Sequence, residues 1–105
     1  MAANAAATRA LAARLAAVAR PGTGASVSTL PGSHKSFAAD EGLILQHLIE
    51  LAEWLEALAD KTGLDFHLGL EPEPLGYFEN TTETLAFFDR LQAAAPDPGI
   101  TRRRI

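Results

Sequence analysis

The residues of this 105-residue chain best suited to chemistry gather in one stretch, LGLEPEPLGYFENTTETLAFF, residues 68–88. Glu71 follows directly on an apolar run ending at Leu70. A carboxylate in that place stands at the C-terminal rim of an α/β sheet, where open sheets and barrels alike bind their ligands. There it can ligate a hard divalent cation or move a proton. Strand alternation sets Glu71 on the same side as Gly69, whose lack of a side chain would leave room beneath a ligand or metal. The plainer role for Glu71 is to solvate a loop or pair with a neighbouring arginine. Glu73 lies two residues on, between Pro72 and Pro74, and reads either as a solvent-facing carboxylate or as support for a ligand at Glu71. His34 and Lys35 follow an earlier β-type run and would share the same rim, where they could meet an anionic or hydroxylated substrate; a polar loop explains them equally well.

The remaining candidates are weaker. His67 lies within the apolar run and reads as a hydrogen-bonded core histidine, His47 as a surface or interface residue of a long helix, and Trp54 as a packing residue. There are no cysteines, which excludes a disulfide scaffold and a thiolate metal site and suits a reducing cytoplasm. PGTGAS and LPGS lack the spacing and the following lysine of a phosphate-binding loop. No G-x-S-x-G elbow offers a serine nucleophile.

The elements that must position Glu71 follow from periodicity. Leu11, Leu15 and Val18 recur at four and three, predicting a helix over about residues 5–20 with that stripe buried, closed by Pro21-Gly22. The β-branched run from Gly24 to Leu30, bounded by glycines and Pro31-Gly32, predicts a strand over about 25–30. Ile44, Leu48, Leu51, Leu55 and Leu58 predict a long helix over about 40–62 with Gly63 just beyond its end, and Glu50, Glu53 and Glu56 on its solvated side. A strand over about 64–70 places Phe66, Leu68 and Leu70 on one side and His67 and Gly69 on the other, and Pro72 and Pro74 forbid its continuation. Asn80, three residues before Glu83, opens a helix over about 82–95, and Ile100 to Ile105 reads as the approach to another strand. Strands alternating with amphipathic helices predict parallel pairing through right-handed crossovers.

All 13 acidic residues lie between Asp40 and Asp97, opposed there only by Lys61 and Arg90. An acidic middle of this kind argues against a nucleic-acid groove. No uninterrupted apolar stretch approaches the roughly 20 residues of a membrane span. The acid-free, alanine-rich, arginine-dotted opening has the look of a transit peptide, but is equally the composition of a high-propensity helix. The chain is expected to be cytoplasmic.

Taken together, GASVSTLPGSHKSF, the long helix ending in LADKTG, and LGLEPEPLGYFENTTETLAFFDRL resemble the bacterial EboE metabolite-traffic branch of the xylose-isomerase-like sugar phosphate isomerase/epimerase superfamily, over about residues 11–91. The strand with its LEPEP segment is the most specific part. The resemblance implies a TIM barrel whose divalent metal, Mg, Mn or Zn, is held by Glu, Asp and His side chains from the ends of several strands. Glutamate in an LxLEP context is similar to the first of those ligands, and only Glu71 occupies that position here. The resemblance also implies binding or processing of a small metabolite destined for export, with other export-operon proteins as partners.

A full (β/α)8 barrel takes about 250 residues. The chain is therefore expected to be a single fragment, residues 1–105, of a partial (β/α)8 TIM barrel: α/β in class, two parallel strands and three helices in the order α-β-α-β-α. One carboxylate does not hold a hard cation tightly, so the chain alone is expected to be inactive and to bind no metal tightly. Two alternatives stand beside the metabolite-traffic reading. One is a metal-dependent sugar isomerase or epimerase; the other is a free-standing α/β interaction module whose open sheet edges also permit self-association.

Overall fold

Asp40 and Gly63 bracket the helix on which the rest packs. The Asp40 carboxylate accepts the Leu43 N–H at 3.2 Å and closes the first turn. At the other end Gly63 adopts φ 72°, the left-handed conformation a glycine takes without strain, and its N–H donates to the Ala59 carbonyl at 2.8 Å. Between them the computed structural model, which describes residues 2–30 and 40–105, carries the helix Glu41–Thr62 (α2). Ahead of it come the helix Ala2–Val18 (α1) and the strand Gly24–Thr29 (β1). After it come the strand Asp65–Leu70 (β2) and the helices Thr81–Ala94 (α3) and Pro98–Arg104 (α4).

β1 and β2 pair in parallel, with Ala25 opposite Phe66, Ser26 opposite His67, Val27 opposite Leu68 and Ser28 opposite Gly69. Facing residues of a pair share a side of the sheet and successive residues alternate. The register therefore sorts the side chains completely. Ala25, Val27, Phe66 and Leu68 fall on one face, and Ser26, Ser28, His67 and Gly69 on the other. The first face meets Ile44, Leu48, Leu51 and Leu55 of α2, and Phe78, Phe87 and Leu91 complete the same buried cluster. α1 lies against β1 and α2, while α2 and α4 lie against β2. On the second face Ser26, Ser28 and His67 are exposed. Parallel sheets are ordinarily covered on both faces; among the described residues this one is covered on one.

α1 does not bury the predicted stripe. Leu11 is 49% and Val18 80% exposed, and the helix turns Ala5, Thr8 and Ala12 inward instead, with Leu15 half-buried beside them. Alanine's small side chain lets the α1 backbone approach its neighbours closely, so contact comes from proximity rather than from reach. The spacing of the leucines marks a helix but not its inner face.

The C-terminal residues also depart from expectation, because they form a fourth helix rather than the start of a strand. The Asp97 carboxylate accepts the Gly99 N–H at 3.0 Å, Pro98 opens the first turn, and three arginines occupy the last. An N-cap, a proline at the first position and cations at the C-terminal end of the dipole all favour helix. That turn drives Arg104 inward. Its Nε donates to Glu56 Oε2 at 2.6 Å, and its Nη1 to Asp65 Oδ1 at 2.9 Å and to the Phe66 carbonyl at 3.1 Å. Arg103 Nη2 reaches the other Glu56 oxygen at 2.9 Å. Glu56 therefore ties α4 to α2 and does not belong to the solvated side with Glu50 and Glu53.

Truncating Arg104 strips Glu56 of one cation and leaves the Phe66 carbonyl without this donor. Arg104→Ala is expected to destabilise the fold by about 2–3 kcal/mol, less than the ~3–5 kcal/mol of breaking a fully buried pair because Arg103 stays on Glu56. Urea denaturation measures it. Arg102→Ala, at an exposed neighbour, should stay within about 0.5 kcal/mol of the parent.

Candidate functional site

The Glu71 N–H donates to the Thr29 carbonyl at 3.0 Å, so strand pairing runs one residue past β2 and holds Glu71 at the C-terminal end of both strands. Its side chain is exposed. At Gly69 a Cβ would stand 3.3 Å from Ser28 Oγ, so the missing side chain makes room for the facing serine. Glu73 is half-buried, and its carbonyl accepts the Gly76 N–H at 2.9 Å. A Cβ on Gly76 would come within 3.0 Å of Glu73 Cγ, so the stem of Glu73 packs in the turn. His34 and Lys35 lie outside the described residues.

Among the described residues no group of three His, Cys, Asp or Glu side chains stands close enough to hold a metal ion. Mg²⁺ and Mn²⁺ take several oxygen ligands and Zn²⁺ ordinarily four ligands in all, three of them protein groups in catalytic sites. Glu71 can offer one group. The residues described do not by themselves fit a divalent metal.

The loop that carries the two glutamates is fastened at several points. Leu75 adopts φ 64°, a left-handed conformation costly for a branched side chain, and its N–H is held by the Glu79 carboxylate. The Glu79 N–H in turn donates to Glu83 Oε2 at 2.7 Å, and the Glu83 N–H to Asn80 Oδ1 at 2.9 Å. The Asn80/Glu83 spacing thus produces a cap, with the glutamate reaching one residue further back than in the standard box. Beyond the turn Phe78 is buried against Phe87, ring centroids 5.0 Å apart.

Tyr77 makes the attachment that sequence reasoning missed. Its hydroxyl donates to Glu41 Oε1 at 3.0 Å. Arg90 grips the same carboxylate through Nε at 3.0 and 3.1 Å and Nη2 at 2.8 Å, and lies 5.9 Å from the centre of the Phe87 ring. The Arg90 guanidinium holds the Glu41 carboxyl below its ordinary range; partial burial opposes the shift and the tyrosine hydroxyl adds to it. Burial, and then the adjacent carboxylate, push the Tyr77 phenol up. The first turn of α2, the rim loop and α3 are joined by this one carboxylate.

On the uncovered face His67 is 51% exposed, with Nε2 3.1 Å from Asp65 Oδ2. It is therefore not a core histidine, because alternation turns it away from Phe66 and Leu68. Ser26 stands opposite it in the register, bringing serine, histidine and aspartate side by side. All three are exposed, and nucleophilic catalysis needs a site that excludes water and fixes its donors. The array suits hydrogen bonding to a polar ligand. Of the other candidates, His47 is half-buried at the seam between α1 and α2, with Nδ1 3.8 Å from Glu50, and Trp54 packs half-buried against the core.

No family model, curated protein or solved structure matches the chain. Among the described residues no helix is long and apolar enough to cross a membrane.

Two outcomes follow from this geometry. A carboxyl whose folded-state pKa is lowered contributes stability that is complete above the unfolded value and is lost as pH falls through the folded one. Glu41, Glu56 and Asp65 are all lowered, by Arg90, by Arg103 with Arg104, and by His67 with Arg104. The melting temperature should therefore hold from neutrality to about pH 5 and drop below it, and Arg90→Met should shrink that drop by removing the Glu41 share. Leu75→Gly should relieve the left-handed strain at little cost in burial, Leu75 being 72% exposed. It is expected to raise stability by up to about 1 kcal/mol in chemical denaturation.

Proposed function

We propose that β1, α2 and β2 are a segment of a xylose-isomerase-like ring of parallel strands, on the EboE metabolite-traffic branch, and that Glu71 faces a small polyhydroxylated metabolite at its open mouth. The observation carrying this reading is that, among the described residues, the helices cover a single face of a parallel sheet. A barrel puts its helices outside and its lumen inside, whereas a doubly wound sheet needs helices on both faces. The uncovered face carries Ser26, Ser28, His67 and Gly69, and a lumen that takes a hydroxylated ligand calls for such hydrogen-bonding groups. The carboxylate at the strand end and the fastened loop that follows it are further support, since strained rim loops commonly belong to binding sites.

In this reading the whole protein binds or processes a metabolite destined for export in the cytoplasm. Any isomerase or epimerase chemistry would need ligands and an acid or base beyond those described. Glu71 supplies one carboxylate, and in a ring the other groups would come from strands pairing with the outer edges of β1 and β2. No catalytic step is assigned to the residues of this chain.

Paramagnetic relaxation provides the test, because Mn²⁺ reports weak carboxylate contacts by broadening nearby amide signals. In titrations of the chain, broadening is expected to centre on Gly69 to Glu73 at millimolar metal and to vanish in Glu71→Gln. Broadening confined to Glu50 and Glu53 of α2, or unchanged in Glu71→Gln, would sink the assignment of Glu71 to a ligand-facing rim.

A further inference from the structure

The two flanks of the molecule are complementary to each other. On the α1 flank, Leu11, Arg14 and Val18 recur at three and four and so share one stripe. All three are exposed, Leu11 by 49% and Val18 by 80%. Because α1 turns Ala5, Thr8 and Ala12 inward, the stripe points away from the chain's own core. No acidic residue occurs before Asp40, so this flank is basic.

On the opposite flank, α2 and the end of α3 enclose a groove of about 430 Å³. Leu45, Ile49, Ala94 and Pro96 supply apolar walls, and Glu50 and Glu53 stand among its lining residues. An apolar trough edged by carboxylates fits an amphipathic helix that presents two apolar anchors with a cation between them. The Leu11–Arg14–Val18 stripe has that composition and spacing. It cannot reach the groove of its own chain, because α1 packs on the side of α2 that bears His47, Leu48 and Leu51, away from Leu45 and Ile49.

We propose that the chain associates head to tail with a second copy of itself, α1 of one copy seated in the α2–α3 groove of the next, with Leu11 and Val18 on the apolar walls and Arg14 facing Glu50 and Glu53. Charge selects this arrangement over a two-fold dimer through α1, which would bring two acid-free basic helices together. The contact joins two different patches, so it repeats from copy to copy and either closes a ring or extends as a filament. The inference concerns the outer helical surfaces of the 105-residue chain and uses none of the groups on the opposite face of the sheet.

Sedimentation velocity of the full chain across a concentration series tests it, with far-UV circular dichroism confirming that each variant folds. The mass should rise with concentration, and less steeply at high salt. Arg14→Glu and Glu53→Arg, both exposed in the free chain, should each weaken association at least tenfold, and the double variant R14E/E53R should restore it by reversing both partners. A chain that stays monomeric throughout overturns the proposal. So does association that survives Arg14→Glu, that the double variant fails to recover, or that is abolished only by Ser26→Pro at the β1 edge, which would assign it to strand pairing.

Discussion

Everything in this fold depends on burying one face of a two-stranded parallel sheet under α2. Two strands are too few to be stable alone, and a parallel pair must be joined by a crossover long enough to return to the starting edge. α2 meets both needs at once. It carries the chain back, and its inner residues Ile44, Leu48, Leu51 and Leu55 seal Phe66, Leu68 and Val27 from water. Burying an aliphatic or aromatic side chain is worth roughly 1.5–3 kcal/mol, so this cluster outweighs any polar contact on the surface. The period of two then obliges the alternate residues, Ser26, Ser28, His67 and Gly69, to face the other way. That face is polar because the residues at those alternate positions are serine, histidine and glycine.

The charged contacts act as fasteners around that cluster, at two separate places. Arg104 ties the N-terminal end of β2 to α2 through Asp65, the Phe66 carbonyl and Glu56. Arg90 and Tyr77 tie the first turn of α2 to α3 and the rim loop through Glu41. Arginine suits both places, since its fork of donors can serve two acceptors at once and stays charged at any pH that matters here. The loop bearing Glu71 and Glu73 is therefore held at its far end by a contact that has nothing to do with either glutamate.

What could be read in advance divides along the same line. The elements were legible because each rests on local order: the four-and-three recurrence of α2, the alternation in β2, Gly63 after the last turn, Asn80 ahead of Glu83. The placement of Glu71 at the strand ends was legible for the same reason. Contacts between distant residues were not. Glu41 and Arg90 lie 49 positions apart and Glu41 and Tyr77 lie 36 apart, and no periodicity links them. α1 misled because alanine makes a good inner face as readily as leucine does when helices come close, and the last seven helical residues misled because Ile100 and Ile105 drew attention from a cap, a proline and three arginines that favour helix. His67 misled by its apolar neighbours, although the alternation that buries Phe66 and Leu68 must expose it.

The polarity of the open face also constrains what can lie across it. Barrel interiors are ordinarily filled by branched apolar side chains stacked in layers. Serines at 26 and 28 and a glycine at 69 cannot fill such a layer, and His67 already has a partner in Asp65. An apolar sheet packed there would strand the serine hydroxyls without hydrogen bonds, at roughly 1–3 kcal/mol for each unsatisfied group. Whatever covers this face must bring donors and acceptors, or water. If the strands belong to a ring, the space over them is a wet lumen rather than a packed core, and a carboxylate at its mouth is suited to a hydroxylated ligand and not to a greasy one.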